Sequence, residues 1–432
     1  MYKPFLTFFV RTPNNPFNSL DFNAFETKKL NQQVQEAIYV ASPVLYTELI
    51  KYIDGTITDN EETSRIDSAL YRYISRMSSR CTPFGLFAGC LIGNINGNHT
   101  HIVYDNFNRY TRLDMFFLCT LSQELSKQSD IKTKTRYYPN STLYPLGKNF
   151  RYIEYHYIES RRVHQISSIE RSVYLDLIIR QTRKGALIEE LINYLANDYI
   201  NRNDAQAFIE ELIESQIIVS EISPSVTGDD YLTQLIGILD ERNVNNAIIE
   251  TLREIQQMLY QLDCRSYDNM GLYQNIINNI KEIKIPYEEK YLFQIDMAKT
   301  DKNIILGNDV INELQKALTF LNKSIPRTTN EALGKFQKAF YNRYEDKEIP
   351  LMVALDSEIG IGYPVDNRFG DISPLLENFH IPGKANQEII TKSNEFDSIL
   401  FKKVINALQK NEKEIIFMII RIASYNKIQE IR

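Results

Sequence analysis

Residues 71–89 read YRYISRMSSRCTPFGLFAG and run from a basic helix through a stiff turn into an apolar, small-residue strand. The spacing predicts a helix from about Ser64 to Ser79. Ser64 with Asp67 makes a capping-box-like start, and Pro83 forces an end by biasing Thr82 to an extended conformation. A strand is expected over Leu86–Ile95, so the stretch sets an α+β reading. At about 100° per residue, Arg65, Arg72, Arg76 and Arg80 fall within about 80° of arc. Ile66, Ala69, Leu70, Tyr73 and Met77 form an apolar arc that overlaps its edge. The arginines therefore border the buried face, where planar guanidinium forks suit a phosphate or carboxylate. The competing reading is a solvated helix face whose arginines pair with nearby acids. The Pro-Phe-Gly turn favours a site, because it holds Thr82 next to Arg76 and Arg80.

Upstream, Phe5–Val10 (FLTFFV) reads as a buried strand, and Arg11-Thr12-Pro13-Asn14-Asn15-Pro16 as a turn that leaves Arg11 at a strand end. Helices are expected near 32–37 and 43–52. Downstream, 86–95 and 100–104 look like strands about Asn96-Gly97-Asn98. Asp114 opens a helix to about Lys127, where it either caps that helix or pairs with an arginine or an ammonium group. After strand-like 137–144, residues 149–222 read as a hairpin, three helices (172–181, 186–195, 204–215) and a closing strand. That order suggests a winged helix-turn-helix. Its third helix (AQAFIEELIESQ, 205–216) carries three glutamates, which argues against DNA phosphate and for a peptide added along the wing edge. Tyr152 and Tyr155 on the hairpin and Phe208 and Leu212 on the third helix are the candidate peptide contacts. A winged-helix transcription factor is the reading that this acidic helix weighs against.

Ser223–Asp230 is the best linker. Helices are then expected over 231–262 and 270–284, a strand over 291–297, and helices over 309–323 and 330–344. Residues 349–356 (IPLMVALD) read as a buried strand leading into a two-glycine loop at 357–364. GDISPLL (370–376), a helix over 396–408 and an apolar run at 415–422 follow. The domain reading is 1–148, 149–225 and 226–432, a multi-subdomain arrangement of mixed sheets and helices with the winged-helix-like module embedded.

The chain of 432 residues is 43% hydrophobic and 24% charged, with a net charge of −6. That fits a globular protein without a global polyanion-binding surface. Locally the balance reverses: residues 61–165 hold 14 lysines and arginines against 9 acids. Cys81, Cys90, Cys119 and Cys264 make no CxxC pair and no metal-ligand spacing, so free thiols in a reducing cytoplasm are expected. His99 and His101 read as loop residues, and no metal site is expected. No signal peptide and no run of roughly 20 apolar residues is seen. There is no Walker A loop, Rossmann fingerprint, HExxH or GxSxG.

Three patterns together resemble the N-terminal part of the lantibiotic (class I lanthipeptide) dehydratases: the opening strand with Arg11-Thr12-Pro13; SRMSSRCTPFGLFAG at 75–89; and DSEIGIGYP at 356–364 followed by GDISPLL. The resemblance implies a glutamylation domain, in which glutamate passes from glutamyl-tRNA to Ser or Thr hydroxyls of a ribosomally made precursor peptide. The positions that match are Arg11, Arg76, Arg80, Thr82 and Asp114, with Arg65 and Arg72 as further substrate contacts. Residues 149–222 resemble the family's leader-peptide recognition element. Glutamyl-tRNA is then a co-substrate and no cofactor is bound. The implied partners are the leader peptide, the aminoacyl-tRNA, a separately encoded elimination half, a cyclase and an exporter. A homodimer is left open, as is a place at the inner membrane face through those partners. Only the first part of such an enzyme is matched, which reads as a truncated frame, a fragment or one half of a split enzyme. The alternative function is a non-catalytic leader-peptide-binding component of a maturation complex.

Overall fold

The computed structural model describes residues 3–17, 30–103, 107–158, 161–197, 199–225, 227–244, 247–264, 269–324, 330–357, 359–365 and 395–415. In chain order come β1 (Thr7–Pro13), α1 (Gln32–Ala41), α2 (Pro43–Ile53), α3 (Asn60–Ser79), β2 (Ala88–Ile95), β3 (Asn108–Leu113), α4 (Met115–Lys127), α5 (Ser129–Lys134), β4 (Tyr137–Pro139), β5 (Tyr144–Leu146), β6 (Asn149–Ile158) and β7 (Arg161–Glu170). Then follow α6 (Val173–Thr182), α7 (Ile188–Leu195), α8 (Arg202–Glu214), β8 (Ile218–Ser220), α9 (Tyr231–Glu241), α10 (Ala247–Cys264), α11 (Met270–Glu282), β9 (Phe293–Leu306), α12 (Asn308–Ser324), α13 (Glu331–Tyr344), α14 (Leu351–Leu355) and α15 (Glu395–Lys410). Packing groups Phe5–Leu143 with Ser168–Asn308 in one unit, and Tyr144–Ser167 with the helices after Asp309 in another. This partition differs from the three consecutive blocks expected from the sequence. Among the described residues no helix is long and apolar enough to cross a membrane.

The first unit is organised by a four-stranded sheet in the order β1-β2-β9-β3. β1 and β3 run antiparallel to their neighbours, while β2 and β9 are parallel. β1 is an exposed edge rather than the buried strand expected: Phe5 is 88% and Phe9 67% exposed. It also runs through Arg11–Pro13, so the turn begins only at Asn14. Among the described residues, β2 makes no hairpin with 100–103, where the isolated bridge is His101 to Ile305; Tyr104 lies outside the described residues. β9 extends well past the expected 291–297, because the polar run Thr300–Asn303 masked its continuation.

α3 starts earlier than expected. Asp59, not Ser64, is its N-cap and accepts from the Glu62 N–H at 3.1 Å, with Glu61 and Glu62 in the first turn. It ends at Ser79 as expected, with Arg80 already extended. Its apolar face, Ile66, Leu70 and Met77, packs with Ala37, Ile38, Leu49 and Phe87. A larger core joins α4 to α9, α10 and α11 through Phe117, Leu121, Leu235, Ile255 and Ile276. The single helix expected over 231–262 breaks at Arg242–Val244, where Asn243 takes the left-handed conformation (φ 51°) that asparagine tolerates at a helix end. Helices α6 to α8 and β8 follow the β6–β7 hairpin in the expected order. β8, however, pairs with β4, and the hairpin pairs with β5, so among the described residues the hairpin and the closing strand belong to separate sheets.

In the second unit, residues 351–355 are helix α14, not the buried strand read from their apolar run; Leu351 is exposed and Ala354 faces inward. Asp356 caps α14 and is buried. Its carboxylate accepts from the Tyr144 hydroxyl and from Arg151 Nη1, each at 2.8 Å, and from the Ile359 N–H at 3.1 Å. Burial and this carboxylate push the Tyr144 hydroxyl up to about 12. A Cβ on Gly360 would lie 2.1 Å from the Val353 carbonyl, so the loop closes only with glycine there. Asp356, Ile359 and Gly360 of the DSEIGIGYP motif therefore act as a packing clamp in this unit. GDISPLL and residues 416–422 of the apolar run lie outside the described residues.

Candidate functional site

The end of α3 and the turn behind it enclose a cavity of about 220 Å³ lined by Arg76, Arg80, Thr82, Pro83, Phe84 and Phe87. The turn is tight: the Phe87 N–H donates to the Phe84 carbonyl at 2.9 Å, and Gly85 takes a positive φ of 49°. Phe84, Phe87 and Tyr73 stack edge to face at 5.5 and 5.8 Å. The Arg76 guanidinium lies 5.6 Å from the Phe84 ring centre. Among the described residues, no carboxylate pairs with Arg11, Arg76 or Arg80. These cations keep their hydrogen-bonding forks available.

The end of β1 is tied to this turn. Asn14 N–H donates to the Phe87 carbonyl at 2.8 Å and Asn15 N–H to the Met77 carbonyl at 3.0 Å. Pairing sets Arg11 opposite Cys90, Cys90 beside Ala298, and Ala298 opposite Asn108. Paired residues share a face, so Arg11 lies on the same open face as Asp296, Tyr110 and Arg112. The alternate residues Arg109, Thr111 and Leu113 point to the core. Asp114 follows β3 at the end of the sheet where β2 begins and β1 finishes. The register places it beside Leu292, whose carbonyl accepts from the Asp114 N–H at 2.8 Å, six residues (about 20 Å) along the ladder from the row that holds Asn108, Ala298, Cys90 and Arg11. Its carboxylate accepts from the Phe116 N–H at 2.8 Å, so the capping role is real. The topology thus ties the end of the strand that carries Arg11 to the Arg76–Arg80–Thr82 turn, while Asp114 lies toward the same end of the sheet but about 20 Å farther along the ladder than the Arg11 row.

A family description, "Lantibiotic dehydratase, N terminus", matches residues 30–426. The chain belongs to this family. Relatives of this chain include the subtilin biosynthesis protein SpaB of Bacillus subtilis, 26% identical over 76% of the chain and 32% of SpaB. Another is the epidermin biosynthesis protein EpiB of Staphylococcus epidermidis, 23% identical over 92% of the chain and 41% of EpiB. The fold is that of the tRNA-dependent lantibiotic dehydratase MibB from Microbispora sp. 107891, with a TM-score of 0.74 at 22% identity, covering 97% of this chain and 40% of MibB. The chain thus spans well under half the length of these relatives.

Other candidate residues of this chain fall differently. Arg65 and Arg72 line a separate cavity of about 510 Å³ between α2 and α3, with Glu48 and Glu62 among its walls. Leu212 (1% exposed) and Tyr152 (4%) are core residues. That corrects the expectation that both contact a peptide, since neither offers side-chain surface. Phe208 and Tyr155 are half-buried, and Tyr155 lies under the Arg162 guanidinium at 3.4 Å. Two features escaped the sequence reading. One is a buried network in which Glu36 accepts from Arg109 Nη1 (2.5 Å), the Tyr273 hydroxyl (3.0 Å) and Asn269 Nδ2 (3.1 Å). The other is Lys290, next to β9, whose ammonium donates to the Tyr291 hydroxyl at 3.0 Å and is raised first by that contact. Period-two alternation in NRYTRL (108–113) was the one available signal separating Arg109 from Arg112. Their partners lie far away in sequence.

Proposed function

We propose that this chain is the glutamyl-transferring part of a lantibiotic-type dehydratase. It takes glutamate from glutamyl-tRNA and places it on Ser or Thr hydroxyls of a precursor peptide. The observation that carries the reading is the convergence of Arg76, Arg80 and Thr82 on one cavity, with Arg11 on the strand whose end is hydrogen-bonded to that turn. Unpaired, exposed guanidinium groups beside an aromatic wall suit the phosphates and terminal base of an RNA acceptor end. The donor is already an activated ester, so a phosphate-binding loop is not required. In the step, the peptide hydroxyl oxygen attacks the ester carbonyl, the bond to the terminal ribose oxygen breaks, and the hydroxyl proton ends on that ribose oxygen. In this reading Asp114 orients the hydroxyl or holds the glutamyl ammonium. MibB, described as tRNA dependent, supports the RNA co-substrate.

The test is incubation with glutamyl-tRNA and a precursor peptide, in the presence of the remaining portion of such a dehydratase. A glutamyl adduct by mass spectrometry is expected. Its absence, with the other portion present, ends the reading. A second reading, a component that binds leader peptide without catalysis, is favoured by β7, the edge strand of the three-stranded sheet. Leader-peptide titration that is unchanged by mutating β7 would end it.

A further inference from the structure

Helices α10 and α11 leave between their outer faces a groove of about 470 Å³ that has no part in the reading so far. Gln257 and Gln261 of α10 line one wall, and Asn275 and Asn278 of α11 the other. Met258, partly buried against the core, lies on the inner side. At one end Asn279 Nδ2 donates to Glu254 Oε2 at 3.2 Å. Among the described residues, the side-chain amides of Gln257, Gln261 and Asn275 hold no hydrogen bond. Asparagine is a weak helix former, because its side chain competes for the backbone. Yet α11 sets three of them, Asn275, Asn278 and Asn279, along this groove. A helix face that serves only solvent has no use for that choice, since lysine or glutamate would solvate it and favour the helix as well.

The lining selects among ligand classes. Among the described residues it offers no cation for a phosphate and no aromatic ring for a base to stack on. Its one carboxylate, Glu254, is too few for a hard metal ion. A primary amide donates and accepts at once, which matches the N–H and C=O of a peptide unit. The spacing matches too. Gln257 and Gln261 stand about 6 Å apart along the helix axis, and an extended chain repeats its same-side groups about every 6.6 Å. We propose that this groove holds an extended, uncharged segment of the precursor peptide by its main chain, with the open amides of Gln257, Gln261 and Asn275 as partners. The inference rests on the precursor peptide as substrate, and it adds a seat for that peptide separate from the β7 edge. Main-chain recognition is indifferent to side-chain identity, so it suits a segment whose serines and threonines change as modification proceeds.

The probe is a capped octapeptide of alternating serine and threonine with a terminal tryptophan, titrated into the full chain. The chain has no tryptophan, so the fluorescence comes from the peptide alone. Saturable binding is expected. Methylating alternate backbone nitrogens of the peptide should weaken it about tenfold. Gln261→Ala combined with Asn275→Ala should do the same, whereas Asn275→Gln, which keeps an amide, should stay within about threefold. Alanine is the better helix former at both positions, so the double variant folds, and thermal melts check it. The inference is overturned if the unmodified chain does not bind the peptide, if the methylated peptide binds equally well, or if the double variant binds unchanged. Binding lost on mutating β7 but kept in the double variant assigns the peptide to that edge instead. Glutamyl transfer to a precursor with an unchanged KM in the double variant would also remove the groove and leave the transferase reading standing. Peptide binding that the double variant loses, in a chain that forms no glutamyl adduct, would end the transferase reading and leave the groove.

Discussion

Two arginine clusters in the first unit use the same side chain for opposite ends. Arg109 is 11% exposed and sits among Glu36, Tyr273, Thr111 and Asp263, with every arm engaged. Burial raises the Tyr273 hydroxyl well above its ordinary range, with Glu36 adding to the effect against Arg109, and so keeps it a neutral donor. Arg76 and Arg80, by contrast, are exposed at a helix end with an aromatic ring for company. The first arrangement spends its charge inside the protein and locks α1, β3 and α11 together. The second leaves its charge for a ligand. What separates them is whether a carboxylate is built alongside, not the arginine or its local sequence.

The largest expected effect tests the structural side. Arg109→Ala leaves Glu36 buried and uncompensated, which costs about 3–5 kcal/mol. Denaturant unfolding should show that loss, and a change below about 1 kcal/mol would break the comparison. Next, Arg80→Ala should lower glutamyl transfer about 100-fold with an unchanged melting temperature. Transfer and stability falling together would place Arg80 with Arg109 instead.

Asp114 stands between the two classes. Asp114→Ala removes the cap and should cost about 1 kcal/mol. Asp114→Asn keeps a capping oxygen and hence the stability. A loss of transfer in the asparagine variant therefore isolates the charge, whereas full transfer assigns Asp114 to capping alone. The smallest effect concerns Glu221. Burial tends to raise its carboxyl, but Arg242 Nε and Nη2 at 2.7 and 2.8 Å, with the Arg136 N–H, win and hold it below its usual 4.5. A depressed carboxyl stabilises the fold above its unfolded value and loses that contribution as pH falls through the folded one. Glu221→Gln should then flatten the stability profile below about pH 4.5 and match the parent chain least well near neutrality. An unchanged acid limb would remove Glu221 from the account.

The helix end at Ser79, the turn at Pro83 and the Arg76–Arg80–Thr82 grouping were legible because each depends on residues within one or two turns. The start of α3 was not, since Ser64 and Asp59 offer similar capping chemistry and only the structure decides. The apolar run 351–355 misled because a short hydrophobic stretch has no period long enough to tell helix from strand. The buried network was invisible for another reason. Glu36 and Arg109 are 73 residues apart, and Arg109 and Tyr273 are 164 apart. Nothing in NRYTRL announces a partner that distant. The same holds for the sheet that carries the candidate residues: Arg11 on β1 and Asp114 after β3 belong to one sheet only because β9 lies between β2 and β3.

β9 has a further consequence, in time rather than space. It is the strand between β2 and β3, yet it is made about 200 residues after β2 begins. At about 5–20 residues per second, the nascent chain waits roughly 10–40 s with both inner edges open. During that interval β2 and β3 present unsatisfied ladders to any other strand, and the four-stranded sheet that carries Arg11 and leads into Asp114 does not exist. Ribosome pausing or chaperone binding before residue 306 should therefore govern how much active protein a cell obtains, without altering a single contact in the finished molecule.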